Sequence, residues 1–292
     1  ELNIKVQRVS QENFLRVNKI NTKFFNEDIR SLENSFKITS YGENKKFDFK
    51  TGIFENLDIA DSLKYTYYLP EGSFSQNKII LGFNTNVNSY FQGRKFLKNQ
   101  KQGKIRNTFS ANSKQITNKS FGLISEFKST IYNNNIYNDN VTGLKENENI
   151  DNYFTLATDL SLPFAKFSKN NYQILKPRIF VKHTTGTMID ASSSEKMLNY
   201  SDIFSMNRTN SLDNPETGSS LGYGLNYDLN LKNITNQEIQ TSLGIGQVMR
   251  NNKQNKMPIQ SSLNNKTSDY AGFLKFNILE KNELNNNSRE NF

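Results

Sequence analysis

The 292-residue sequence has no cysteine, no tryptophan and a single histidine, His183. Without cysteine neither a disulfide framework nor a thiolate metal site can form. No run of 18 or more apolar residues occurs, so no transmembrane helix is encoded. The opening Glu1-Leu2-Asn3-Ile4 has no Met and no signal peptide, and the chain is expected to be mature or a fragment. Acidic residues show no metal-ligand spacing. Glu146 and Glu148, on either side of Asn147, read as a solvated loop, so no metal and no cofactor is expected. His183 lies in Phe180-Val181-Lys182-His183-Thr184-Thr185, which holds no nucleophile motif. Gly222-Tyr223-Gly224 opens no helix and is not a phosphate loop. An enzyme is therefore not expected.

What is present is basic and polar, yet rich in rings. The formal net charge is +9, densest at Lys45-Lys46 and from Arg94 to Arg106. No nucleic-acid-binding module accompanies it, so solvated loops are expected and no nucleic-acid partner. The hydrophobic share is 35% and the mean hydropathy −0.72, low for a globular protein. Disordered chains lack aromatics. This one has 22 Phe and 13 Tyr, which must be buried somewhere.

The dominant pattern is alternation. From Leu221 to Leu231 every odd position is Leu or Tyr, and the even positions are Gly, Asn and Asp. A β-strand sends successive side chains to opposite faces, so one face is apolar and the other wet. The pattern returns at Phe154–Leu162, Leu63–Leu69, Ile239–Ile245 and Tyr270–Ile278. Further strands are expected over Leu2–Val9, Phe14–Ile20, Leu32–Tyr41, Phe47–Glu55, Ile79–Tyr90, Ile105–Ser113, Ser120–Tyr132 and Tyr172–His183. Polar stretches such as Asn133–Asn152, Thr184–Asn199 and Asn251–Thr267 read as loops, and no helix is expected. A strand of ~12 residues at ~3.3 Å rise, tilted near 45°, spans a membrane band of about 25 Å. Soluble strands average ~5–6 residues. The expected fold is therefore all-β, a transmembrane antiparallel β-barrel rather than a soluble sandwich. The non-alternating approach to Phe292 reads as a loop, not as a closing strand.

Three segments resemble one family, the lipopolysaccharide-assembly protein LptD. The first is Leu175-Lys176-Pro177-Arg178. The second is Asp202-Ile203-Phe204-Ser205-Met206-Asn207-Arg208, then Asp213 and Glu216-Thr217-Gly218, leading into the Leu221–Leu231 strand. The third is Leu243-Gly244-Ile245-Gly246-Gln247-Val248-Met249-Arg250, followed by Ser261-Ser262-Leu263 and Thr267-Ser268-Asp269-Tyr270. Thr209, Ser211, Asn214 and Met249 depart from the family pattern.

The resemblance implies transport of lipopolysaccharide to the outer leaflet of the outer membrane. It implies an LptE-like plug lipoprotein and a periplasmic Lpt bridge as partners, with lipopolysaccharide and outer-membrane lipid in contact. It nominates Pro177, Arg178, Asn207, Arg208, Asp213, Gly218, Gly246, Arg250, Ser268 and Asp269 as motif residues, with Arg208 and Asp213 expected to pair and pin a loop, and direct contact with the anionic lipid or a plug protein as the alternative role. At ~20–25 residues per strand and connection the chain supplies about 12–14 strands of a barrel that reaches about 26. Residues 1–292 are thus expected to be part of a single barrel domain, truncated at both ends. A porin or receptor barrel and a secreted adhesin-like β-protein are the alternatives.

Overall fold

A computed structural model describes residues 1–22, 29–59, 64–95, 100–141, 147–169, 171–209, 211, 213–232 and 237–280. Leu63, Glu146 and the stretch from Glu283 to Phe292 lie outside them. The elements are β1 (Leu2–Lys5), α1 (Phe14–Val17), β2 (Ser31–Gly42), β3 (Lys45–Asn56), β4 (Tyr65–Ile80), β5 (Phe83–Lys95), β6 (Lys101–Asn112), β7 (Ile116–Thr117), β8 (Ile124–Asp139), β9 (Asn147–Ser161), β10 (Phe164–Phe167), β11 (Asn171–Thr184), β12 (Gly218–Lys232), β13 (Gln237–Arg250) and β14 (Ala271–Glu280). Short 3-10 turns stand at Tyr200–Phe204 and Gln260–Ser262. All the strands belong to one antiparallel sheet, in which chain neighbours are sheet neighbours, with β7 beside β8 and β10 beside β11. Among the described residues β1 and β14 stand at the two ends of that order.

Chain contacts divide the molecule into two compact units, 1–113 with 129–154, and 114–128 with 155–292. In the first, β2 to β6 run 12 to 16 residues. Their apolar side chains share one face. Leu2 pairs with Ile38 and Ile38 with Phe49. Phe47 pairs with Phe74, Ile53 with Tyr67, and Phe91 with Ile105. Register shifts between Leu69 and Glu71, which puts Pro70 at a bulge, where proline interrupts no ladder.

In the second unit the alternation is cleanest. Antiparallel partners point to the same face, so Leu175, Tyr227, Leu243 and Leu274 form one apolar rung across β11, β12, β13 and β14. Leu225 and Ile245 form the next. This face is the exposed one: Ile245 is 51% exposed and Leu274 73%. The neighbouring positions on the other face are buried, with Thr155 at 0%, Lys182 at 1% and Asn230 at 3%. Burial is therefore inverted relative to a water-soluble sheet. An extended apolar face left in water would be costly, and faces of this kind mark membrane or partner contact.

Three expectations are corrected by the fold. Ile79–Tyr90 is two strands, because Leu81 and Gly82 both take positive φ (50° and 81°), the requirement of a tight type I′ hairpin. Phe14–Ile20 is not a strand; its first residues form α1, which buries Leu15. The polar stretch Asn133–Asn152 is largely strand, the ends of β8 and β9. Its asparagines are stabilised by one another: Asn107 Nδ2 donates to Asn133 Oδ1 at 3.3 Å, and Asn133 Nδ2 donates to Asn152 Oδ1 at 2.8 Å. Composition alone reads such a ladder as loop.

Candidate functional site

The polar face of the second unit is packed from above by its own connections. Glycines make the room. At Gly222 an added Cβ would lie 2.3 Å from the Ile203 carbonyl oxygen. At Gly246 it would lie 2.5 Å from the Tyr223 oxygen and 2.9 Å from Ile203 Cδ1. The 3-10 turn at Tyr200–Phe204 is thus seated against bare backbone. Phe180, Met188, Leu198, Tyr200, Ile203, Phe204, Val248, Met257, Leu263 and Ala271 form a buried apolar cluster there. The 185–217 and 251–270 connections are also tied to each other. Ala191 N donates to Lys256 O at 2.8 Å, and Leu198 N to Ser261 Oγ at 2.9 Å.

Beside that cluster lies a buried ionic group. Lys182, Ser220 and Arg250 occupy one rung of β11, β12 and β13. The two cations on that rung need a counter-charge, and the β11–β12 connection supplies it. Glu216 Oε2 accepts from Lys182 Nζ at 2.7 Å. Its Oε1 accepts from Arg208 Nη1 at 2.8 Å and from Arg250 Nη2. Arg208 also donates to Ser220 Oγ at 2.9 Å and to the Ile203 carbonyl at 2.8 Å. Lys182 donates further to the Met206 carbonyl at 3.0 Å. The side chains of Lys182, Arg208 and Glu216 are wholly buried. Burial pushes the Glu216 carboxyl up. The charges of Arg208, Lys182 and Arg250 outweigh that and hold it below the ordinary carboxylate range.

The nominated residues take the following places. Asn207 Oδ1 accepts from Thr209 N, Thr209 Oγ1 and Glu216 N at 3.2, 2.9 and 3.0 Å, closing the loop on itself. Arg208 finds its carboxylate in Glu216, a residue that sequence reasoning did not choose as partner; Asp213 is half-buried on the same loop. Gly218 has φ +90°, which a side chain would strain. Pro177 pairs with Leu225 in the ladder. Arg178 donates from Nε to Asp159 Oδ1 at 2.8 Å, and its guanidinium lies 4.2 Å from the Phe204 ring centre. Ser268 Oγ accepts from Val248 N at 3.0 Å, and Asp269 Oδ1 accepts from Ser262 Oγ at 2.8 Å. Arg208, Arg250 and Gly246 therefore meet the same turn and rung, whereas Ser268 and Asp269 fasten the second connection. Lys182 and Asp159 were missed. Their signal was phase alone, since each stands on the wet side of an alternating strand.

The first unit presents a different polar face. Lys5, Lys37, Lys46, Lys50, Arg94, Lys104 and Arg106 share it with Glu33, Asp48 and Glu71, so cations are in excess. Glu33 accepts from Lys5 at 3.0 Å and from Lys50 at 2.9 Å. Lys50 sits 4.8 Å from the Phe54 ring, Arg94 4.7 Å from Tyr68 and Arg106 5.2 Å from Tyr90. These cations stand over aromatic faces, which attract positive charge. Elsewhere His183 Nδ1 and Ser219 Oγ are 2.8 Å apart on exposed strand ends. Among the described residues no group of His, Asp and Glu is arranged to hold a metal.

Strands of membrane-crossing length, apolar side chains on the exposed face and charged ones on the other make the wall of an outer-membrane-type β-barrel. The family model LptD, LPS transport system D, matches residues 1–289, nearly the whole chain, and the chain belongs to that family. The family works in lipopolysaccharide transport at the outer membrane and is not an enzyme family. No curated protein matches the chain.

Proposed function

We propose that this chain forms part of the wall of the barrel that inserts lipopolysaccharide into the outer leaflet. In this reading the apolar face meets membrane lipid, and the cation-rich face lines the lumen through which an anionic glycolipid is handed on. The observation that carries it is the inversion of burial on β9 and β11–β13, joined to the excess of cations on the polar face of β1–β6. Hydrocarbon does not tolerate an unpaired strand edge, so in this reading β1 and β14, the ends of the strand order among the described residues, lie beside further strands of a larger barrel. The loop-packed face of the second unit is a fixed part of that wall, its motif residues pinning the connection rather than touching lipid. A plug lipoprotein in the lumen and a periplasmic bridge that delivers the lipid are the partners this reading requires.

The test is depletion of the protein by shutting off its expression. The reading expects newly made lipopolysaccharide to stop reaching the cell surface, scored by an impermeant antibody to its sugar chain, and to build up at internal membranes. Continued surface delivery at the normal rate in depleted cells contradicts it.

A further inference from the structure

We propose that the apolar face of the first unit holds a binding site for one phosphate-bearing lipid, its phosphate on Lys95 and Lys101 and one acyl chain in the groove over Gly93 and Gly103. The proposal rests on the reading that this face contacts the membrane. Lys95 and Lys101 are directly opposite each other on β5 and β6, and both are exposed. Like charges placed directly across a ladder repel. No carboxylate among the described residues forms an ion pair with either; Lys95 has only the Tyr67 ring, 5.9 Å away. A phosphate between the two ammonium groups would turn a repulsive pair into two charge-assisted contacts.

Two residues further along the same face, Gly93 stands directly opposite Gly103. Above them is a groove of about 500 Å³ walled by Pro70, Phe91, Ile105, Tyr137 and Ile150. That volume lies within the range of about 300–1,000 Å³ seen for small-ligand pockets. Neither glycine takes a positive φ. A Cβ at Gly103 would meet only Tyr137, at 3.6 Å, an ordinary contact. Packing therefore does not require glycine at 103, unlike at Gly222 and Gly246, and glycine inside a strand weakens it. What the facing pair provides is the groove itself, open on the apolar face, with the Lys95–Lys101 pair two residues further along the same strands. Lysines at a strand end can keep their stems on apolar surface and their ammonium groups at headgroup level.

The experiment uses the full-length protein, extracted from its outer membrane in mild detergent and examined by native mass spectrometry. Dioleoyl phosphatidylglycerol, dioleoyl phosphatidylcholine and inorganic phosphate are the probes. The wild type should retain one phosphatidylglycerol about tenfold more strongly than phosphatidylcholine, a difference of ~1.4 kcal/mol. The K95Q/K101Q double variant should lose that preference. Gly103→Leu should reduce retention of both lipids, while Gly103→Ala, which keeps most of the groove, should behave as wild type and report that the fold is intact. Equal retention of the two lipids by the wild type overturns the proposal, as does an unchanged preference in the double variant. Displacement of phosphatidylglycerol by inorganic phosphate alone overturns the lipid assignment. If the protein is recovered from cells in water without detergent, the membrane reading itself fails; if it is membrane-inserted but unselective, only this site fails.

Discussion

The two units are built on the same alternating strands yet treat their polar faces oppositely. In the first, the wet positions carry long charged and aromatic side chains such as Lys50, Tyr68, Arg94 and Arg106, and these pair along the wall. In the second, wet positions on β12 and β13 are Gly222, Gly224, Gly244 and Gly246, and chain connections settle onto them. The Glu33 ion pairs are half-exposed; those of Glu216 are fully buried. Period-two alternation sets which face is apolar, while residue size at the wet positions decides whether the other face is left open or packed.

The sharpest way to break this contrast is to remove the central carboxylate of each unit. Glu216→Ala leaves Lys182, Arg208 and Arg250 buried without their counter-charge, a change that costs about 3–5 kcal/mol. The 185–217 connection should become cleavable by added protease in the folded protein. Glu33→Ala should cost about 1 kcal/mol or less, since its partners remain partly hydrated. Similar protease sensitivity in the two variants would erase the distinction.

A second test compares adjacent residues of β13. Leu243→Arg places a charge on the apolar face, at ~2–4 kcal/mol near the membrane midplane. Ser242→Arg places it on the polar face, directly opposite Asp228. The first should lower the amount of folded, heat-modifiable protein in the outer-membrane fraction, and the second should leave it near the wild-type level.

Glycine replacement gives a smaller effect. Gly246→Ala forces a Cβ into the Tyr223 carbonyl and Ile203, and overpacking of this kind costs about 1–3 kcal/mol. Gly103→Ala meets no such obstacle. The melting temperature in detergent should fall for the first and hold for the second.

The smallest expected effect is that of acid. The folded-state pKa of Glu216 is below its ordinary value, so its contribution is fully present above about pH 4.5 and is lost only as pH falls through the depressed value. Protease resistance of the 185–217 connection should therefore be the same at pH 7 and pH 5. A loss between those values contradicts the charge arrangement described for Glu216.

Most of the sheet was legible because strand phase is local: Leu221 to Leu231 announces both its faces without any knowledge of neighbours. The Asn107–Asn133–Asn152 ladder was not, since its bonds link residues 19 and 26 positions apart. The hairpin at Leu81-Gly82 hid inside an apolar run for lack of a second turn residue. Of the motif loop, Arg208 and Asn207 stood out by resemblance. The role of Glu216 depended on Lys182 and Arg250, each 34 residues away in sequence. Buried ionic groups of this kind are set by register across three strands, which a single sequence does not display.

The exposed apolar face is expected to meet lipid, and the charged face is not. Residues 1–292 contain no cysteine, so a thiol introduced into β12 is the only one in this stretch. Single cysteines placed one at a time from Leu225 to Leu231, clear of the crowded glycines Gly222 and Gly224, in the full-length protein in its membrane, can be scored for quenching of an attached fluorophore by a spin label in the acyl-chain region. Quenching should be strong at odd positions and weak at even ones along the whole stretch. Uniform quenching, or quenching in the opposite phase, would contradict it.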